Sequence, residues 1–231
     1  MLLNHRYFIA ILILSGLFAL LPSCTSAPKS APAVDAVAGS ALYQMPAAPL
    51  ETRWYTFENQ KGVKGGAALT RFGRKGAPAT GLPKGQSLTL ADIQGSGTIR
   101  RIWMTLFNRD PLALRGLKIE MYWDGATTPA VQAPLGDFFC QPLGQMVAFE
   151  NACFSSPEGR SFNCIVPMPF RKAARIVMIN DSGVDNGVYY EVDATLGDRH
   201  DDNAMYFHAY WRRENFTTLR QDMTILPRVE G

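Results

Sequence analysis

An all-β domain, an antiparallel sandwich or barrel, is the fold class this sequence predicts, and three observations predict it. Residues 97–107, "GTIRRIWMTLF", and 116–123, "GLKIEMYW", alternate apolar and polar side chains with the period of a half-buried strand. Clusters of turn residues such as "DGATTP" and "NDSGVDNG" separate the alternating stretches. No stretch carries a comparably long helical period, which argues against interleaved helices and a βαβ protein.

The chain of 231 residues begins with a segment outside that fold. His5 and Arg6 precede an apolar run from Tyr7 to Leu21, shorter than the roughly 20 residues a spanning helix needs and built like a secretory signal. "LPSC" then resembles the lipobox of bacterial lipoproteins, which makes Cys24 the candidate lipidated residue and residues 1–24 a signal peptide. Pro22 is an unusual occupant of that motif, and ordinary cleavage near Ala27 is the alternative. Either route exports the protein. The lipobox route anchors it at the cell envelope, and Thr25 is compatible with outer-membrane sorting. Residues 25–50 are rich in Ala, Pro and Ser, a composition that buries too little surface to order itself and reads as a tether.

Residues 51–231 remain, enough for one substantial core. Their first marked strand is "SLTLADI" at 87–93. In 97–107, Ile102, Met104 and Leu106 face one way, and Arg101, Trp103, Thr105 and Phe107 the other. In 116–123, Leu117, Ile119, Met121 and Trp123 share a face opposite Lys118, Glu120 and Tyr122. "FNCIVP" at 162–167, "ARIVMIN" at 174–180 and "GVYYEVDATL" at 187–196 complete the strands the pattern marks. "AMYFHAYWRRENF" at 204–216 fits either a helix or a long twisted strand. Residues 58–86 and 137–161 carry no strand pattern and are long for plain connections, a length that often serves function.

Several chemistries are excluded by spacing. The formal charge of +3, or +2 once Arg6 is removed, is too mild and scattered for nucleic acid. "KGVKGG" and "GRKGAPATGLPKG" lack the spacing of a phosphate loop. "DSGVDNG" fails the calcium loop. "DRHDDNAMYFH" holds metal-type residues without a ligand spacing, and reads as a solvated acidic turn followed by a core or stacked His208. No G-x-S-x-G elbow exists for a serine nucleophile. Cys140, Cys153 and Cys164 allow at most one disulfide and no close zinc spacing, so three small buried hydrophobes are expected. No cofactor or metal is expected.

Aromatic residues beside polar groups remain: Trp103 near Arg101, Trp123 next to Asp124, Phe138 and Phe139 after Asp137, and Trp211 before Arg212. Such groupings suit sugar rings, and equally a sandwich core with a polar rim.

Taken in order, "FENQKGVKGG", "LADIQGSGTIRRIWMTL", "YWDGATTPAVQAPLGDFF", "NCIVPMPFRKAARIVMIND", "YYEVD" and "YFHAYWRRENF" resemble the DUF2961 family, which includes glycoside hydrolase family 172. "PLGDFF" is the most distinctive of these stretches. The resemblance implies two consecutive jelly-roll β-sandwiches, assembly into oligomers, and action on fructofuranosides or related furanosides. It also implies a retaining mechanism with two glutamates, carried in the second sandwich by stretches resembling W-G-E-G and G-T-[GS]-[ST]-E-D-Y. Neither stretch occurs here, and Glu230 sits in "VEG" outside any such context. The expectation is an antiparallel jelly-roll sandwich over residues 51–231, truncated before a second sandwich, with no catalytic residue of its own. Its substrate-binding candidates are Asp137, Phe138, Phe139, Trp103, Arg160 and Trp211, with Asp137 either lining a sugar pocket or capping a turn. The alternative is a non-catalytic carbohydrate-binding or assembly module. A homo-oligomer, or pairing with a missing C-terminal half, is the expected partnership, because a jelly roll without its partner sandwich exposes an apolar face.

Overall fold

The computed structural model describes residues 49–74 and 76–226. The leader, Cys24 and nearly all of the Ala/Pro/Ser stretch lie outside the described residues.

In chain order the strands are β1 (Glu51–Thr56), β2 (Thr80–Leu82), β3 (Ser87–Gln94), β4 (Gly97–Leu106), β5 (Leu117–Trp123), β6 (Val131–Pro134), β7 (Phe149–Glu150), β8 (Phe154–Ser156), β9 (Ser161–Cys164), β10 (Met168–Phe170), β11 (Ala173–Asn180), β12 (Asn186–Leu196) and β13 (Ala209–Tyr210). Two short helices, α1 (Pro111–Gly116) and α2 (Leu135–Phe138), interrupt them.

Four antiparallel pairs define the topology: β1 with β12, β3 with β11, β4 with β9, and β5 with β6. Early strands pair with late ones and middle strands with each other, so the chain is one long antiparallel ribbon wrapped over itself. The wrap leaves one sheet ordered β1-β12-β4-β9-β8-β7 and a second ordered β13-β6-β5-β11-β3. That arrangement is a jelly-roll β-sandwich, as the resemblance implies.

The alternation read from the sequence decides which side chains fill the sandwich. Ile102, Met104 and Leu106 of β4 and Val188 and Val192 of β12 meet Ile119 and Met121 of β5 and Ile176 and Met178 of β11, all buried in one core cluster. Each such side chain contributes on the order of 1.5–3 kcal/mol by leaving water. Ile99 is buried too, three residues from Ile102, a spacing that a regular strand places on opposite faces. The pairing slips here, Arg101 lying opposite Asp193 and Ile99 opposite Ala194, so Arg100 is an extra, bulged residue that restores Ile99 to the core. A second slip, between Ile176 and Val177 against Ala91 and Thr89, lets the adjacent Leu90 and Ala91 both be buried.

Three expectations are corrected. Residues 204–216 form neither a helix nor a long strand; only Ala209–Tyr210 pairs, in parallel, with β6. The segment is held by individual bonds instead: Trp123 Nε1 donates to the Phe207 carbonyl at 2.7 Å, the Tyr206 hydroxyl donates to Asp124, and Ala209 N–H donates to Ala130 O at 3.1 Å. Cys140 and Cys153 are exposed, and only Cys164 is buried, with burial pushing its thiol up to about 12. Asp198 is a buried anchor rather than a solvated turn residue, bonded to Thr98, Thr195 and Arg100, whereas His208 is exposed.

Candidate functional site

The stretch "PLGDFF" follows β6 as the short turn of α2, and its geometry explains its composition. Gln141 N–H donates to Gly136 O at 2.7 Å and Phe139 N–H to Leu135 O at 3.2 Å, which winds the chain back on itself. A Cβ on Gly136 would lie 2.8 Å from the Gln141 carbonyl oxygen, so only glycine permits the closure. The turn directs Phe139 into the core, 1% exposed, and leaves the Asp137 side chain partly accessible.

Helix α1 supplies the partner for that carboxylate. Asp110 caps the helix by accepting from Ala113 N–H at 2.8 Å, Pro111 opens it, and Arg115 falls in the last turn. A Cβ on Gly116 would lie 2.3 Å from Ser182 Cα, so the end of the helix is seated against the loop after β11. From there Arg115 Nη1 donates to both Asp137 oxygens, at 2.8 and 2.7 Å. Trp211 Nε1 donates to Asp137 Oδ1 at 3.3 Å, and the guanidinium carbon of Arg115 lies 5.6 Å from the Trp211 ring centroid. Asp137 is therefore a locked acceptor, held by side chains rather than by the backbone amides of a turn cap. A carboxylate offers about four acceptor positions, which leaves room for a ligand hydroxyl beside these donors.

This group edges a cavity of about 160 Å³ lined by Ala133, Asp137, Phe138, Phe154, Phe207 and Trp211, with Ala209 and Tyr210. Its wall is an aromatic cluster: Phe138 meets Phe139 at 4.9 Å, Phe154 at 5.8 Å and Phe207 at 6.4 Å between ring centroids, all edge-to-face. The volume falls below the roughly 300–1,000 Å³ of pockets for larger ligands, so it fits one small ring. Among the described residues lining it, Asp137 is the sole carboxylate. The arrangement can orient a polar ring against aromatic faces. It does not contain the acid and nucleophile pair that glycoside hydrolysis uses.

Of the sequence-derived candidates, Asp137, Phe138 and Trp211 meet at this cavity, while Phe139 supports Phe138 from the core. Trp103 and Arg160 lie elsewhere. Trp103 sits between Glu191 and Asn163 on the larger sheet, and Arg160 is exposed in the turn before β9, its carbonyl accepting from Thr105 Oγ1 at 2.9 Å. Sequence reasoning missed Arg115, Phe154 and Phe207. The signal for Arg115 is "NRDPLALRG", a capped start with proline in the first turn and a cation in the last.

Asp124 organises the neighbouring turn. Its backbone is left-handed, φ 54°, and its carboxylate accepts from the backbone N–H groups of Arg171, Lys172 and Ala173 and from Tyr206. Burial pushes the carboxyl up, but these hydrogen bonds outweigh it and hold it below the ordinary range. Among the described residues no group of three or more His, Cys, Asp and Glu side chains is placed to hold a metal ion.

The fold and this cavity define the class: an all-β protein of the jelly-roll β-sandwich type. The chain matches the family model described as "GH172 first beta-sandwich domain" over residues 51–202, and it belongs to that family. No curated protein matches it. The matched segment contains Asp137 and Phe138, whereas Phe207 and Trp211, which complete the cavity, lie just beyond it.

Proposed function

We propose that this protein is the sugar-contacting first sandwich of an exported glycoside hydrolase acting on fructofuranosides or related furanosides, with hydrolytic carboxylates supplied by a second sandwich. The single observation that carries the reading is the cavity: a ring-sized aromatic site with one carboxylate, fixed by Arg115 and Trp211, in a chain of the GH172 family. Such a site recognises a sugar and positions it. A retaining reaction needs two carboxyl groups about 5–5.5 Å apart, and the cavity lining provides one. The leader and the cysteine of "LPSC" support export and lipid anchoring at Cys24 on the cell envelope.

The test is hydrolysis of p-nitrophenyl α-D-arabinofuranoside and of a fructofuranoside panel, by the purified protein alone and with a second-sandwich half from the same family. No turnover alone and turnover on complementation is the expected result. Turnover by the protein alone sinks the claim that the catalytic pair comes from elsewhere.

A second reading, an assembly or binding module without chemistry, draws on the exposed apolar side chains Met205, Tyr210, Phe216, Leu219 and Ile225 in the final described segment. Binding without turnover in both arms of the experiment favours it.

A further inference from the structure

The outer face of the smaller sheet carries a cavity of about 450 Å³, larger than the one beside Asp137 and lined by a disjoint set of residues. Three adjacent strands place Tyr122 of β5, Arg175 of β11 and Asp92 of β3 in one register row. The guanidinium carbon of Arg175 lies 4.0 Å from the Tyr122 ring centroid, a cation–π stack that fixes its plane. Among the described residues, Arg175 and Asp92 form no ion pair, although they face each other across neighbouring strands. Among the described residues, Asp92 accepts only a long bond from Gln94 Nε2, at 3.4 Å. The turn Gly125–Thr127 forms the remaining wall, and the space around Gly125 is open.

The contrast lies two residues away on the same face. Glu120 accepts from Tyr122 Oη at 2.6 Å and Gln132 Nε2 at 2.7 Å and lies 3.2 Å from Lys118 Nζ, so its hydrogen-bonding capacity is largely used within the protein. The row at Asp92 and Arg175 leaves acceptors and donors open to the cavity. An anion is opposed by Asp92 and a cation by Arg175. A neutral ligand with adjacent hydroxyls satisfies both, donating to the carboxylate and accepting from the guanidinium, with the Gln94 amide beside them.

We propose that the cavity at Asp92, Gln94, Tyr122 and Arg175 is a second saccharide-binding site, distinct from the cavity at Asp137. It rests on the carbohydrate reading given above. A calorimetric titration of the purified protein with a short fructo-oligosaccharide tests it. Two classes of site are expected. R175Q and D92N each weaken one class by tenfold or more, and D137N weakens the other. Both variants alter exposed side chains, and an unchanged melting temperature shows that their effect is local. If R175Q and D92N leave both classes intact, the second site is overturned while the Asp137 site stands. If D137N changes nothing and R175Q removes binding, the Asp137 reading fails and the second site stands. Glycine, a zwitterion whose ammonium and carboxylate could pair with Asp92 and Arg175, is titrated in parallel, and glycine binding that R175Q abolishes, or no saccharide binding by the unaltered protein, overturns the saccharide assignment.

Discussion

Carboxylates in this protein are distinguished by what donates to them. Asp137 takes its donors from a helix-borne arginine and an indole, and keeps part of its capacity for the cavity. Glu120, 7% exposed, takes its donors from its own sheet and serves stability. Burial pushes the Glu120 carboxyl up, but hydrogen bonds from Tyr122, Gln132 and Lys118 outweigh it and hold it below its ordinary 4.5. A carboxyl lowered on folding stabilises the folded state fully above its unfolded value. That contribution is lost as pH falls through the lower folded value. E120Q is therefore expected to cost about 1.5–3 kcal/mol at pH 7, the worth of hydrogen bonds to a charged group. The gap to the unaltered protein should shrink as the pH drops below 4.5. Urea unfolding at pH 7 and again in the acid range checks both parts, and a gap that stays constant contradicts the ionised role of Glu120.

Elements are set by register, and the bulge at Arg100 separates what a side chain does from what a residue's presence does. The Arg100 side chain is 47% exposed and pairs with Asp198 at 3.1 Å. Asp198 keeps its donors Thr98 and Thr195 when Arg100 is lost, so R100A should cost about 1 kcal/mol. Deleting Arg100 sets Ile99 two positions from Ile102, the spacing of a regular strand, so Ile99 stays in the core and the loss should match that of R100A to within about 1 kcal/mol. Deleting Trp103, which is regularly paired, sets Ile102 beside Met104 and turns one of them outward, at about 2–3 kcal/mol or more. Comparing the midpoints in denaturant checks the assignment, and equal losses for the two deletions would refute the bulge. The same logic explains what was legible in the sequence. Strands β4, β5, β11 and β12 were readable because their alternation survives over seven or more residues. The short strands β6, β7 and β8 and helix α1 were not, because two to six residues cannot display a period. At the site, Asp137, Phe138 and Trp211 stood out as aromatic and acidic neighbours. Arg115 reaches Asp137 across 22 positions, and no local pattern encodes that contact.

At the scale of the whole molecule, the surface is unequal. The sandwich interior is closed, yet the segment after the family match carries Met205, Phe216, Leu219 and Ile225 exposed by 84%, 92%, 86% and 77%. These side chains flank the cavity-completing Phe207 and Trp211 on the same stretch of chain. Exposed apolar side chains gathered in one segment offer a place for another surface to bind, and association covers them at about 25 cal/mol per Å² of apolar area removed from water. The protein on its own is therefore expected to self-associate or to dissolve poorly, and F216S combined with L219S should shift it toward the monomer. Neither residue contributes to the buried core, so the melting temperature of the double variant should stay within a few degrees of the original. Size-exclusion chromatography with light scattering, across a tenfold range of concentration, decides the matter. A monomer at every concentration without the substitutions would show that these side chains need no cover and would count against a partner surface here. An oligomer that F216S and L219S dissolve would locate the contact on the segment that completes the Asp137 cavity, tying assembly and sugar binding to one part of the chain.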